Sequence, residues 1–162
     1  MKATPHRGNG IIFLSIIVAL MLMALPMPDW AAIWRPAWVA LVIIYWCMAL
    51  PSRVGILVAW FSGVLLDVLA GTLLGQHALA LSVVAFLTLQ FCRQVRVLPL
   101  WQQGMTVFGL VFVHQVLVLW INGIQGMPVP VFAYWASPLI SMVLWPWIFI
   151  VLRDIRRKYQ VV

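Results

Sequence analysis

Six apolar runs alternate with short polar or proline-punctuated breaks along the chain, at about residues 10–25, 36–50, 54–74, 76–92, 104–122 and 131–152. A hydrocarbon core about 30 Å thick takes about 20 helical residues per crossing, so runs of this length read as membrane spans. The fold class this predicts is an all-α integral membrane protein, one transmembrane domain over residues 1–162 built as a bundle of six transmembrane helices. The first run resembles a signal peptide in layout. Prolines at Pro26 and Pro28 crowd the point where small residues would mark cleavage, and more runs follow, so it is read as the first crossing. Trp34-Arg35-Pro36-Ala37-Trp38 opens the second run, with a proline in the first helical turn, where its missing N–H costs nothing, and tryptophans suited to headgroup depth. Pro51-Ser52-Arg53 then leaves so short a turn that the second and third runs must form an antiparallel hairpin.

Polar residues inside these runs are few, and the third run carries the one acidic residue among them, Asp67. Counting by fours through it gives Gly55, Ala59, Gly63, Asp67, Gly71 and Gly75, which on one continuous helix form a slowly winding stripe of small residues. Such a stripe lets a neighbouring helix approach closely, so this helix is expected to be the packing centre of the bundle. An ionisable group at that depth must face protein or a wet cavity; Asp67 reads as glue between helices or as a substrate or proton site, glue being the simpler reading. His114 and Gln115 lie in mid-run in the fifth segment at a similar depth, so Asp67 is expected to pair with a polar group there or with Arg35. Arg35 itself reads as an anchor snorkelling to lipid phosphate. His77 reads as an interfacial histidine bonded to loop backbone, because no second His, Cys or carboxylate stands at metal-ligand spacing. Residues 92–104 are expected to form the longest inner loop, with Leu100-Trp101-Gln102-Gln103 on the membrane surface, and Pro138 and Pro146 to kink the last run.

Composition agrees with the pattern: 65% of residues are hydrophobic, 8% are charged and the mean hydropathy is +1.09, which leaves no room for a soluble domain. The net charge of +7 would suit nucleic acid only if it formed a patch. Instead Lys2, Arg7, Arg53, Arg93, Arg96, Arg153, Arg156, Arg157 and Lys158 fall on one side of a six-span topology and only Arg35 on the other, which predicts that both termini are cytoplasmic. Nucleic acid is therefore not an expected partner; membrane lipid is. Cys47 and Cys92 each sit near a cytoplasmic end, so no disulfide is expected. Membrane-embedded chemistry would need a nucleophile with its base, paired carboxylates or metal ligands at helical spacing, and the chain has none of these motifs. No catalytic residue, metal or cofactor is expected.

Taken together, Arg35-Pro36-x-Trp38, Tyr45-Trp46, Ala49-Leu50-Pro51-x-Arg53-Val54, Asp67 followed by Gly71 and Gly75, Leu100-Trp101-Gln102-Gln103 and Leu144-Trp145-Pro146-Trp147 before a basic tail resemble the MreD family of rod shape-determining proteins of Gram-negative bacteria, over nearly the whole chain. The resemblance implies a non-enzymatic inner-membrane scaffold or regulatory subunit of the cell-elongation machinery that makes peptidoglycan. The implied partners are the bitopic protein MreC, the actin-like MreB, the glycosyltransferase RodA and its penicillin-binding transpeptidase. It also implies a plan similar to the six-helix substrate-binding subunits of energy-coupling-factor transporters. That keeps open a second reading, a small-molecule-binding membrane subunit of a transporter with a pocket near Arg35, His77 and Asn122. The few small residues joining the third and fourth runs make a poor pocket lid and favour the scaffold. Arg35, Gly63, Asp67, Gly71, Gly75, His114 and Gln115 are the candidate structural or interface residues.

Overall fold

A computed structural model describes residues 8–128 and 131–161. Lys2 and Arg7, used above in the charge argument, lie outside the described residues. Within them the chain forms α1 (Asn9–Ala24), α2 (Asp29–Ala32), α3 (Trp38–Ala49), α4 (Ile56–Ala70), α5 (Gln76–Arg96), α6 (Leu100–Ile124), α7 (Val131–Tyr134) and α8 (Ala136–Lys158). No strand occurs among the described residues. Helices α5, α6 and α8 are long and apolar enough to cross a membrane, while α1, α3 and α4 are apolar but shorter.

Proline and glycine set most of the boundaries. Pro28 precedes α2, Pro99 precedes α6 with its carbonyl accepting from Gln102 and Gln103, and Gly71, in the left-handed conformation at φ 65°, ends α4. Two expectations change here. Helix α5 continues to Arg96 and α6 starts at Leu100, so the supposed inner loop shrinks to residues 97–99, because a proline at the helix start reverses the chain without needing a longer connection. The last run divides instead at Trp135, between α7 and α8, and neither proline ends a helix. Pro138 sits in the first turn of α8, where no intrahelical N–H is required, and Pro146 is carried inside a helix that runs on through the basic tail to Lys158.

The centre of the fold also differs from expectation. Helix α3 is buried without interruption from Val39 to Met48, on every face, and packs against α1, α5, α6 and α8. Helix α4 buries only Ala59, Ser62, Gly63, Leu66 and Asp67 and turns Leu57, Phe61 and Val68 outward. It is one half of a close pair with α5 rather than the hub. The reason for that closeness is Gly63: a Cβ there would stand 2.5 Å from the backbone nitrogen of Ala78 and 2.7 Å from the carbonyl carbon of His77. The rest of the supposed stripe is not helical surface. Gly55 precedes α4, Gly71 caps its end and Gly75 precedes α5, so the spacing by fours continues in the sequence past the point where the helix stops.

A few polar ties hold α1 and α8 to the hub. Trp46 Nε1 donates to Ser15 Oγ at 2.8 Å, and Ser15 in turn donates to Ile12 O. The amide of Ala37 donates to Ser141 Oγ at 3.1 Å. Basic side chains collect at one end of the bundle. Arg53 donates to Asn9 Oδ1, Arg96 donates to the carbonyl of Met48, and Arg96, Arg153 and Arg156 line a small cavity of about 180 Å³ with Tyr45.

Candidate functional site

At the other end, α4 stops where α5 begins, and Asp67 occupies the join. The first turn of any helix presents N–H groups with no intrahelical acceptor, and Gly75, preceding α5, has no side chain with which to cap them. Asp67 supplies the cap from the preceding helix. Its Oδ1 accepts from the His77 amide at 3.0 Å, from Thr72 Oγ1 at 2.9 Å and from His77 Nδ1 at 2.8 Å; its Oδ2 accepts from the Gly75 amide at 2.9 Å and the Ala78 amide at 3.4 Å. The carboxylate is fully buried, and a negative charge at a helix N-terminus is further favoured by the helix dipole. Gly75, at φ 102°, gives the backbone the turn that aims these amides back at Asp67.

The partners expected for Asp67 were wrong in identity. They come from the turn and from α5, not from α6 and not from Arg35. Arg35 is directed instead at the end of α1, where its two terminal nitrogens donate to Met23 O at 2.8 Å and Leu25 O at 2.6 Å. These are carbonyls left open by the last turn of a helix, which a guanidinium satisfies with favourable charge, so Arg35 is a brace inside the protein and not a lipid anchor. His77 was read as bonded to loop backbone; it is the side-chain partner of Asp67. A carboxylate only accepts, so His77 donates from Nδ1 and its ring is held in a fixed orientation.

The structure does bring the expected polar residues of α6 to this neighbourhood. The His114 ring lies 5.8 Å, centroid to centroid, from that of His77, and Gln115 donates to Tyr134 O at 3.3 Å. His77, His114 and Gln115 line, together with Arg35 and Asp29, a cavity of about 370 Å³ between the end of α1, the second half of α6 and the starts of α3, α5 and α8. Both ring nitrogens of His114 are buried without a hydrogen-bond partner among the described residues, as is Arg35 Nε. Beside the cavity, Gln76, almost fully buried, donates to Asn122 Oδ1 at 2.8 Å and closes α5 onto the end of α6. Among the described residues no three His, Cys, Asp or Glu side chains are grouped to hold a metal.

A chain whose described residues form helices and no strand, with three helices long and apolar enough to cross a membrane and large apolar side chains on its exterior, has the build of a membrane protein. Comparison with known proteins gives the family. The chain belongs to the MreD family of rod shape-determining proteins: the model for "rod shape-determining protein MreD" matches residues 6–155, and over 147 residues the chain is 33% identical to the rod shape-determining protein MreD of Haemophilus influenzae, with 89% of each chain covered. No solved structure matches it. Membership assigns the chain to rod-shape determination.

Proposed function

We propose that the protein is a non-enzymatic scaffold of the bacterial elongation machinery, one six-span domain in the inner membrane with both termini in the cytoplasm, that holds the transmembrane helix of an MreC-like bitopic partner. The observation that carries this reading is an apolar groove of about 380 Å³ floored by Trp38 and Val42 of α3 and walled by Leu14 and Val18 of α1 and by Leu144 and Trp147 of α8. Helices α1 and α8 both pack on α3, and the groove between them reaches down to α3 only at Trp38 and Val42. Lipid chains are as apolar as leucine, so a partner helix is favoured here by shape and packing, not by hydrophobicity. The six-span topology is supported by the gathering of Arg53, Arg96, Arg153 and Arg156 at the end opposite Arg35 and Asp67. Through such a partner the protein would join the RodA-like glycosyltransferase, the penicillin-binding transpeptidase and the actin-like MreB. Among the residues singled out, Gly63, Asp67 and Gly75 serve the α4–α5 pair, Gly71 ends α4 and Arg35 braces α1.

The test is co-purification. Leu14→Ala with Trp147→Ala removes two exposed groove walls without touching the hub, so the variant should accumulate normally yet lose the partner and fail to restore rod shape. Normal partner yield with restored shape would refute the groove. The cavity beside His114 supports a second reading, a small-molecule-binding membrane subunit of a transporter. A vitamin-like, water-soluble ligand retained through purification would favour that reading instead.

A further inference from the structure

The cavity beside Asp67 holds more unmet hydrogen-bonding capacity than a structural core retains. His114 is 6% exposed, and neither ring nitrogen has a partner among the described residues. Buried polar side chains are satisfied in the large majority of cases, so an orphaned imidazole on a cavity wall points to an absent bonding partner. Arg35 contributes a second orphan. Its terminal nitrogens are fixed on Met23 O and Leu25 O, which sets the plane of the guanidinium, while Nε is buried and unpaired among the described residues. Both residues line the cavity while these nitrogens are enclosed by its wall, so a small turn of the side chains would present two donors, one cationic, that suit a phosphate oxygen.

The same cavity carries an opposite charge at a distance. Asp29, in the first turn of α2, lines it but makes no ion pair with Arg35. A site with a cation and an anion held apart fits a ligand that is itself zwitterionic and as large as a headgroup. The volume of about 370 Å³ falls in the range of small-molecule pockets, far above what a bare phosphate would fill. The surroundings indicate where such a ligand comes from. Trp30 and Trp34, which lie between Asp29 and Arg35 in the chain, are 73% and 62% exposed, and Ile33 beside Trp34 is exposed as well. Tryptophans projecting outward beside polar groups mark headgroup depth in a bilayer.

We propose that this cavity is a binding site for the headgroup of a zwitterionic aminophospholipid, with the phosphate on Arg35 and His114, the ammonium on Asp29, and the acyl chains against the exposed apolar surface beside Trp30 and Trp34. Asp67 acts through His77, whose ring it fixes at the wall facing His114. The site is separate from the α1–α3–α8 groove and does not depend on a protein partner.

Native mass spectrometry of the purified full-length chain, exchanged into micelles containing equal phosphatidylethanolamine and phosphatidylglycerol, tests this. One phosphatidylethanolamine should be retained per chain with about tenfold preference over phosphatidylglycerol, a ratio of the size one charge-assisted contact supplies. Asp29→Asn should abolish the preference while a phospholipid is still held, and His114→Phe should lower retention of both lipids. Arg35→Gln should do the same, but because Arg35 also braces α1, the first two variants decide the matter if it unfolds. Equal retention of the two lipids by the wild type, or unchanged retention in both Asp29→Asn and His114→Phe, overturns the proposal. Displacement of the lipid by inorganic phosphate at equal concentration overturns it too, since it would identify a site for a free anion.

Discussion

Replacing Asp67 by leucine tests the α4–α5 join most severely. In the wild type five donors converge on the carboxylate, four of them at 3.0 Å or less. Thr72 is half-buried and can turn its hydroxyl elsewhere, and His77 lines the cavity and can turn with it. The amides of Gly75 and His77 cannot move without unwinding the start of α5. Each buried donor left without an acceptor costs about 1–3 kcal/mol, so two of them put the loss for Asp67→Leu at about 2–6 kcal/mol. Asp67→Asn keeps one acceptor oxygen, enough for the amides on one side, but turns an NH₂ group toward a donor on the other; its loss should be about 1–3 kcal/mol. Thermal unfolding of the purified protein in detergent, read by intrinsic tryptophan fluorescence, should rank wild type above Asp67→Asn above Asp67→Leu, and accumulation in membranes should follow the same order. A melting temperature for Asp67→Leu equal to that of the wild type would refute the cap.

The glycines should respond unequally. Gly63→Leu drives a side chain into the backbone of α5 and should prevent accumulation, whereas Gly71→Ala meets nothing and carries only its left-handed φ, a loss of about 1–2 kcal/mol by the same unfolding assay. Equal damage at the two positions would contradict the placement of Gly71 outside the helix packing. Reporter fusions after Gln125 and after Val162 should report periplasm and cytoplasm respectively; either result reversed would refute the six-span topology. Ser15→Ala removes the acceptor for Trp46 Nε1 and should lower stability by about 1 kcal/mol without changing that topology, as judged by the same fusions and by melting.

The sequence was informative where its signals are local. Pro28, Pro51 and Pro99 each mark a reversal, and the burial of Asp67 followed from its position in an apolar run. It was uninformative about the hub. Helix α3 is apolar on every side, and lipid and protein interior have the same polarity, so no periodicity distinguishes the buried Ile43 from the exposed Leu57. The continuation of the small-residue spacing beyond Asp67 concealed a helix end that Gly71 signalled by the ordinary preference for glycine after the last turn. The pairing of His77 with Asp67 was not legible because its partner is ten residues earlier on another helix, a spacing no single-helix pattern contains. The 92–104 segment was misjudged for a different reason: charged and polar residues at a helix end do not end the helix, as α8 shows again through Arg153 and Lys158.

The central claim is that the groove between α1 and α8 receives the transmembrane helix of a bitopic partner. The most direct measurement is site-specific photocrosslinking in living cells, with a photoreactive residue placed in turn at Leu14, Val18 and Trp147 in the groove and at Leu57 and Phe61 on the outer face of α4, and the captured protein identified by mass spectrometry. Capture of an MreC-like partner from the groove positions and not from α4 is the predicted result. Capture from Leu57 and Phe61 with none from Leu14, Val18 or Trp147 would contradict the claim.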